Sequence, residues 1–297
     1  MLIAKYIYFY TYCFYLKIKY LQKYKGGVNM IGIDIGRNQV KAYSQDFRVK
    51  FPSRVGEWRQ RRLNSGGDYE LEYNGKKYFI GDLAEESYTV REMATESKLH
   101  DETKLLFITV LALYSKDTNI TIGLPVSQHV AENKQRFISM LQGRHVIGLN
   151  NAPGSVYNVL GIGVVPESAG VFWNEVLNNR GEVINDIKDH IRIIDIGSHT
   201  INYCTIRDRK YIDKDSGTLN YGIYELENTD QKEQFTRKIV ADLSKVWLKQ
   251  YPVLIAGGGG LLLFDYLKNH FDCRLVDDPI FANVKGFYKM GVATCGK

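Results

Sequence analysis

The sequence predicts an α/β protein made of two duplicated halves that face one another across a cleft. Three observations carry this. An apolar run, then Asp-Ile-Gly, then a few small or polar residues and a second apolar-polar run, occurs twice, as IGIDIGRNQVKAYS (31–44) and IRIIDIGSHTINYCT (191–205). In each half hairpin strands come first and helices follow. A strand, four glycines and a helix, PVLIAGGGGLLLFDYLK (252–268), complete the second half. A duplication of this kind outranks any local motif, and two α/β units packed together leave a cleft into which both turns point.

The elements follow in chain order. Seven of the first 24 residues are tyrosine, and residues 1–29 hold five lysines and no acid. The apolar stretch from Ile7 to Leu16 is broken by Thr11 and several tyrosines, short of the roughly 20 apolar residues that span a bilayer. It has no small-residue cleavage site. Three readings compete for it: a surface- or partner-binding extension, an added strand or helix, and an over-long start with Met30 the true initiator. The last is favoured, because the IGIDIG unit begins right after Met30.

MIGIDIG reads as a short buried strand stopped by a glycine turn, with QVKAYS as its hairpin partner. DYELEYNGKKYFIGDLA alternates around Asn74-Gly75, a pair that tolerates the positive φ of a tight hairpin turn. Asp101 is expected to cap a helix through ETKLLFITVLALYS, with Leu105, Ile108, Leu111 and Ala112 on one face. NITIGLPV is a buried strand ending at Gly123 and Pro125. AENKQRFISMLQG is an amphipathic helix closed by Gly143. VYNVLGIGVVPESAG is a strand broken at Pro166, and ESAGVFWNEVLNN a helix. The second half restarts with IRIIDIG and its partner TINYCTI. Turn chemistry is expected at KDSGTLNYG (214–222), a helix from Gln231 to Leu248, and a short helix at ANVKGFYKMGVA (282–293).

Composition is that of an ordinary globular protein, and 297 residues suffice for one large domain or two modest ones. The formal charge of +6 comes mostly from the first 29 residues, so the body has no bulk basicity that demands nucleic acid as a partner. Four cysteines (Cys13, Cys204, Cys273, Cys295) form no Cys-x-x-Cys pair. Neither a zinc site nor a disulfide framework is suggested, and a reducing cytoplasm fits.

The repeated turn has chemistry of its own. A glycine turn between strands exposes backbone N–H groups that suit phosphate oxygens, and glycine permits close approach. The adjacent aspartate cannot meet a phosphate directly, but it can hold Mg²⁺, often through water, with the metal bridging to the phosphates. Lys41 adds a point charge for the phosphates. AGGGGLLL suits a nucleotide's sugar or α-phosphate near a helix N-terminus. Each feature also has a bland reading: a hairpin cap, tight packing, a solvated lysine. Their conjunction favours the ligand.

These residues resemble the actin/Hsp70/sugar-kinase ATPase superfamily. DIGRNQVK resembles its first phosphate motif, DIGSHT its second and IAGGGG its adenosine motif. ITIGLPVS, VVPESAG and ANVKGFYKMG resemble, in order, landmarks of the ParM/StbA branch of bacterial actin-like proteins that segregate plasmids. The resemblance runs from Met30 to about Ala293. It implies an actin-like ATPase fold with two ribonuclease-H-like domains around a nucleotide cleft: residues 30–165 joined by the last helix at 284–297, and residues 166–283.

It implies roles as well. Asp34 and Asp195 would hold the Mg²⁺ shell. Gly36, Asn38 and Lys41 would meet the β- and γ-phosphates from one side, and Gly197, Ser198 and Thr200 from the other. Gly257, Gly258, Gly259 and Gly260 would line the nucleoside. Glu167 would position the attacking water; the residues alone would make it a first-turn helix glutamate. Arg37 departs from the small hydroxyl residue common in the first motif, and Asn202 stands at an often acidic position of the second. The short interval from Asp195 to Gly257 implies a reduced fourth subdomain (IIB), as in the shortened segregation actin AlfA.

The function so implied is a cytoplasmic nucleotidase that polymerises with ATP or GTP and Mg²⁺. It would move plasmids through a DNA-binding adaptor, with no direct nucleic-acid contact and no membrane. A small-molecule kinase on the same scaffold would need a catalytic base for an acceptor hydroxyl, and neither Asp82 nor Asp101 sits in such a motif. A chaperone-like ATPase would need a peptide-binding domain after the ATPase unit, where this sequence stops. A clamp that binds nucleotide without turnover is the non-enzymatic alternative. EWRQRRLNSGG (57–67) reads as a solvated basic loop rather than an adaptor site.

Overall fold

A computed structural model describes residues 29–62, 67, 69–93, 97–185, 187, 190–226 and 228–295. Apart from Asn29, the Tyr/Lys-rich extension 1–29 lies outside the described residues.

In chain order the first half holds β1 (Met30–Ile35), β2 (Gln39–Ser44), β3 (Phe47–Pro52), β4 (Arg54–Glu57), β5 (Tyr69–Tyr73), β6 (Lys76–Ile80) and β7 (Val90–Glu92). Helix α1 (Asp101–Tyr114), β8 (Asp117–Leu124), α2 (Ala131–Leu141), β9 (Gly143–Leu149) and β10 (Ser155–Pro166) complete it. The second half holds α3 (Ala169–Val176), β11 (Ile191–Ile196), β12 (Ile201–Arg207), β13 (Lys210–Leu219), α4 (Lys232–Ser244), β14 (Val253–Ala256), α5 (Gly258–Leu267), β15 (Cys273–Leu275) and α6 (Ala282–Cys295).

The strands form two sheets, β3-β2-β1-β8-β10-β9-β5-β6-β4-β7 and β13-β12-β11-β14-β15. The expected duplication is visible in their pairing. β1 pairs antiparallel with β2 and parallel with β8, as β11 does with β12 and β14. β8 then pairs parallel with β10, and β14 with β15. The first sheet is extended beyond this shared unit by β9, β5, β6, β4 and β7. Between β13 and β14, among the described residues, the second half has two short 3₁₀ turns and α4, in keeping with the reduced insertion expected there.

Strand sequence follows burial. β1 is buried along its whole length, as a strand covered on both faces must be. One cover is α6: a Cβ on Gly32 would lie 2.3 Å from the Val284 carbonyl oxygen, so only glycine lets the helix settle on the strand. α3 and α6 cross equally closely, since a Cβ on Gly286 would fall 1.7 Å from the Gly170 oxygen. Phe51, Phe107 and Phe137 are among the fillers of the first core. Phe172, Ile193 and Leu254 help fill a second, and Phe235, Ile239 and Leu263 a third.

The hairpin at Asn74-Gly75 forms as read, with φ of 51° and 72°. Four local expectations are corrected. Asp101 is the first residue of α1 rather than its cap, and His100 before it makes no side-chain cap bond. Gly143 does not close α2 but opens β9 with φ of 117°. The turn expected at 214–222 is instead the end of β13, because Gly217 and Thr218 pair with Tyr203 and Asn202 past a β-bulge; sheet pairing overrides turn chemistry there. The helix expected from Gln231 to Leu248 ends at Ser244. The chain then turns, and the Trp247 indole N–H donates to the Asp215 oxygen at 2.9 Å. Among the described residues no helix is long and apolar enough to cross a membrane.

Candidate functional site

The two Asp-Ile-Gly turns have the same construction. Gly36 N–H donates to the Gln39 oxygen at 3.1 Å, and Gly197 N–H donates to the Thr200 oxygen at 2.9 Å. Both glycines therefore spend their own N–H inside the turn rather than offering it to a ligand. Among the described residues, the tip residues Arg37, Asn38, Ser198 and His199 have no protein partner for their backbone N–H groups. These are the donors a phosphate can reach.

The aspartates sit one residue inside each turn, and register puts a different residue across from each. Asp34 faces Lys41 and Asp195 faces Asn202. Lys41 Nζ donates to Asp34 Oδ2 at 3.0 Å. Burial pushes Asp34 upward, but the charges of Lys41 and Lys98 outweigh it and leave its pKa below the usual value. Asp195 has no such pair. Burial first, then the negative fields of Asp34 and Glu167, raise it to about 7, against the opposing pull of Lys41 and a hydrogen bond from Asn283. Burial works against charge on Lys41 too, yet Asp34, Asp195 and Glu167 keep its pKa above the ordinary value. Lys41 thus lies in the field of both aspartates.

Glu167 follows β10 at the crossover between the halves, and is buried. Lys98, itself 4% exposed, donates to Glu167 Oε1 and lies 4.0 Å from Asp34 Oδ1. On its other side Glu167 Oε2 accepts from Asn202 Nδ2 at 2.8 Å, and Asn202 Oδ1 accepts from Thr218 at 2.7 Å. Each carboxylate oxygen carries two lone pairs, so both can still accept from a water. The next residue, Ser168, is buried with φ of 70°, a conformation that costs a non-glycine residue energy and clusters at functional sites.

Asn283, on the first turn of α6, donates to Asp195 Oδ2 at 2.5 Å. Its Oδ1 is buried and unpartnered. Lys98, Thr218 and Asn283 were not legible as site residues, since each reaches the cluster from a distant element; Asn283 stands in the ANVKGFYKMG stretch, which was read only as a helix and a landmark.

The glycine cluster is mostly packing. A Cβ on Gly257, whose φ is 83°, would lie 2.3 Å from the Ile196 oxygen and 2.6 Å from Asp195 Oδ1. Gly259 meets Ile196 and Ile223 equally closely, and Gly260 meets Ile255 at 3.0 Å. Only Gly258, the first residue of α5, faces open space. The cluster therefore seats α5 directly on the second turn, with one glycine free at the helix N-terminus.

The donor set fits magnesium. Among the described residues no three His, Cys, Asp or Glu side chains converge as a ready cage. Magnesium does not need one, since it keeps several waters and takes one or two carboxylates together with substrate phosphates. Asp34, Asp195 and the orphaned Asn283 oxygen supply acceptors of that kind. The basic loop is not a free cationic patch: Arg59 pairs with Glu86 at 3.0 Å and Arg61 with Glu70 at 2.7 Å. Residues 63–66 of that loop lie outside the described residues.

The repeated five-strand units, twin acidic turns and crossover glutamate sit on an actin-like fold. Residues 32–170 match the family model described as "Actin like proteins N terminal domain". No curated protein matches the chain by sequence. Solved structures do match. The apo ParM protein of pSK41 aligns with TM-score 0.74 at 20% identity, over 90% of this chain and 97% of that one. The archaeal actin homologue Ta0583 in complex with ADP gives 0.72 at 17%, over 88% and 98%. An AlfA filament bound to AMPPNP gives 0.67 at 18%, over 87% and 94%. ParM and AlfA, named above from the motifs, are both among these neighbours, and the fold they share with this chain is actin-like.

Proposed function

We propose that this protein is an actin-like nucleotidase that assembles into filaments with ATP or GTP and Mg²⁺. In this reading residues 30–165 with the last helix form one lobe and residues 166–283 the other. The observation that carries it is the meeting of buried Asp34 and Glu167 with half-buried Lys41 and Asp195, from two equivalent turns and the crossover between them. Nucleotide in the Ta0583 and AlfA structures, and the filament form of AlfA, support nucleotide binding and self-assembly here.

Magnesium, when bound, offsets the charge of the phosphates. The tip N–H groups of the two turns and the Asn38 amide donate to phosphate oxygens from opposite lobes, with Gly36, Gly197 and the Ser198 and Thr200 hydroxyls shaping the seat. Asp34 and Asp195 would hold the metal, through its water shell. Lys41 places a positive charge between the lobes. Glu167, fixed by Lys98 and Asn202, accepts a hydrogen bond from the attacking water and orients it toward the terminal phosphorus. Bond formation to that water and cleavage of the terminal phosphoanhydride yield nucleoside diphosphate and phosphate. With the terminal phosphate gone, contacts that span the lobes are lost, the closed state is less favoured, and the filament weakens.

Plasmid movement through a DNA-binding adaptor is the finer part of the proposal, and it rests on the resemblance to the segregation actins. Light scattering of the purified chain with and without ATP·Mg²⁺ and GTP·Mg²⁺, followed by negative-stain microscopy and phosphate release, tests the whole reading. Scattering that stays at background at micromolar protein, with phosphate passed to an added acceptor instead of water, would replace it with a small-molecule kinase.

A further inference from the structure

A second link between the lobes lies at the mouth of the cleft. The segment after β13 crosses the second turn as a strap: Ile223 N–H donates to the Gly197 oxygen at 3.1 Å, and Tyr224 N–H to the Ser198 oxygen at 2.9 Å. Its entry is tight, since a Cβ on Gly222 would lie 2.4 Å from the Ser198 oxygen. Ile223 packs on Gly259. The strap therefore leans on both the turn and the glycine cluster.

Its tyrosine reaches across. The Tyr224 hydroxyl donates to Asn38 Oδ1 of the first turn at 2.7 Å. The ring is held edge-on by His199 of the second turn, with centroids 4.5 Å apart. The tips themselves are close enough for the charge of Arg37 to act on His199. Among the described residues Asn38 Nδ2 has no protein partner.

We propose that Tyr224 is a positioning residue that orients the Asn38 amide for a polyphosphate. The inference rests on the nucleotide reading above. A phosphate oxygen accepts and cannot donate, so Asn38 can serve it only through Nδ2. An amide free to flip would present its oxygen as readily, acceptor against acceptor. The tyrosine hydroxyl can donate or accept, but only when it donates to Oδ1, as it does here at 2.7 Å, are both Nδ2 hydrogens left for the ligand; the flipped pairing would set Oδ1 against the phosphate. The hydroxyl comes from the other lobe, so the amide is set correctly only when the cleft is closed. Closure and phosphate recognition are thereby coupled through one hydrogen bond. The coupling is specific to the phosphate tail and indifferent to the nucleoside.

The test is a double-mutant cycle on the full chain, with Tyr224→Phe, Asn38→Ala and the double variant. Binding of a fluorescent ATP analogue with Mg²⁺ is measured, with unlabelled ATP, GTP and phosphate-free adenosine as competitors. A net hydrogen bond of ordinary strength predicts that Tyr224→Phe weakens triphosphate binding by about three- to tenfold. Adenosine binding is expected to be unchanged, and the loss to vanish in the Asn38→Ala background. Additive losses in the double variant, or an equal loss for adenosine, would overturn the tyrosine's role while leaving nucleotide binding intact. No binding of any triphosphate by the unsubstituted chain would overturn the nucleotide reading and this inference together.

Discussion

Lys41 and Asn202 occupy the same place in the two copies of the repeat, each directly across the hairpin from its aspartate. That single difference helps separate the two carboxyls. A cation opposite Asp34 helps hold it ionised, whereas an amide opposite Asp195 leaves burial and the neighbouring carboxylates to push it to about 7. Duplicated turns are thus given unequal charge, the arrangement by which one fold assigns different tasks to two carboxyls.

Asp195 therefore makes stability depend on pH. A carboxyl that keeps its proton in the folded state up to about pH 7, and releases it near its usual value when unfolded, costs stability progressively as pH rises between those points. Asp195→Asn removes that cost. Its melting temperature should exceed that of the unsubstituted chain most at pH 8 and least at pH 5. The same variant should lose Mg²⁺-dependent nucleotide binding. A gain that is independent of pH would argue against the protonated carboxyl.

Glu167 is expected to act on turnover rather than assembly. Glu167→Ala should slow phosphate release by about 10²- to 10⁴-fold, the usual worth of a positioned acid–base group. Filaments seeded with triphosphate should form and persist longer, because the step that weakens them is blocked. Unchanged release, measured by a phosphate-binding sensor, would return Glu167 to a structural role.

Lys98 neutralises Glu167 and faces Asp34 in a buried setting. Lys98→Met would leave those carboxylates with one fewer cation, and breaking a buried pair in this way costs about 3–5 kcal/mol. Urea denaturation should report a loss of that order. Pairing it with Glu167→Gln should recover part of the loss, since the uncompensated charge is then gone.

The glycine cluster separates packing from ligand contact. Gly257→Ala places a Cβ 2.3 Å from a backbone oxygen at φ of 83° and should destabilise the fold by at least about 1–3 kcal/mol. Gly258→Ala meets nothing within 4 Å, so stability should hold or rise slightly. A loss of nucleotide affinity in that variant alone would place the ligand against the start of α5.

Much of this was legible in the sequence because it is local. Asp-Ile-Gly stops a buried strand and starts a hairpin wherever it occurs, and Asn74-Gly75 dictates its own turn; both appear as read. The repeat order of strands and helices gave the α/β class and the halves. What local pattern could not supply was any contact set by tertiary pairing. Ser216-Gly217 has turn composition, yet the pairing of β13 with β12 draws it into a strand. Lys98 looks like one more exposed lysine until α1 and the crossover bury it beside Glu167. Thr218 and Asn283 join the cluster across 16 and 88 residues. The glycines at 257, 259 and 260 suggested a ligand seat, and the motif gave no sign that tight packing on Ile196, Ile223 and Ile255 also requires them.

Helix α6 has a consequence for how this protein is made. It lies on β1 through Gly32, touches Met30 and Thr121 at Gly291, and crosses α3 at Gly286, although it is the last helix described. While the chain emerges from the ribosome, the face of β1 that α6 covers stays uncovered until residues 282–295 have been synthesised. The first half cannot finish early and wait for the second. Nascent chains halted before residue 282 should expose that apolar strand to chaperones, and full protection of β1 should appear only once residues 282–295 have emerged.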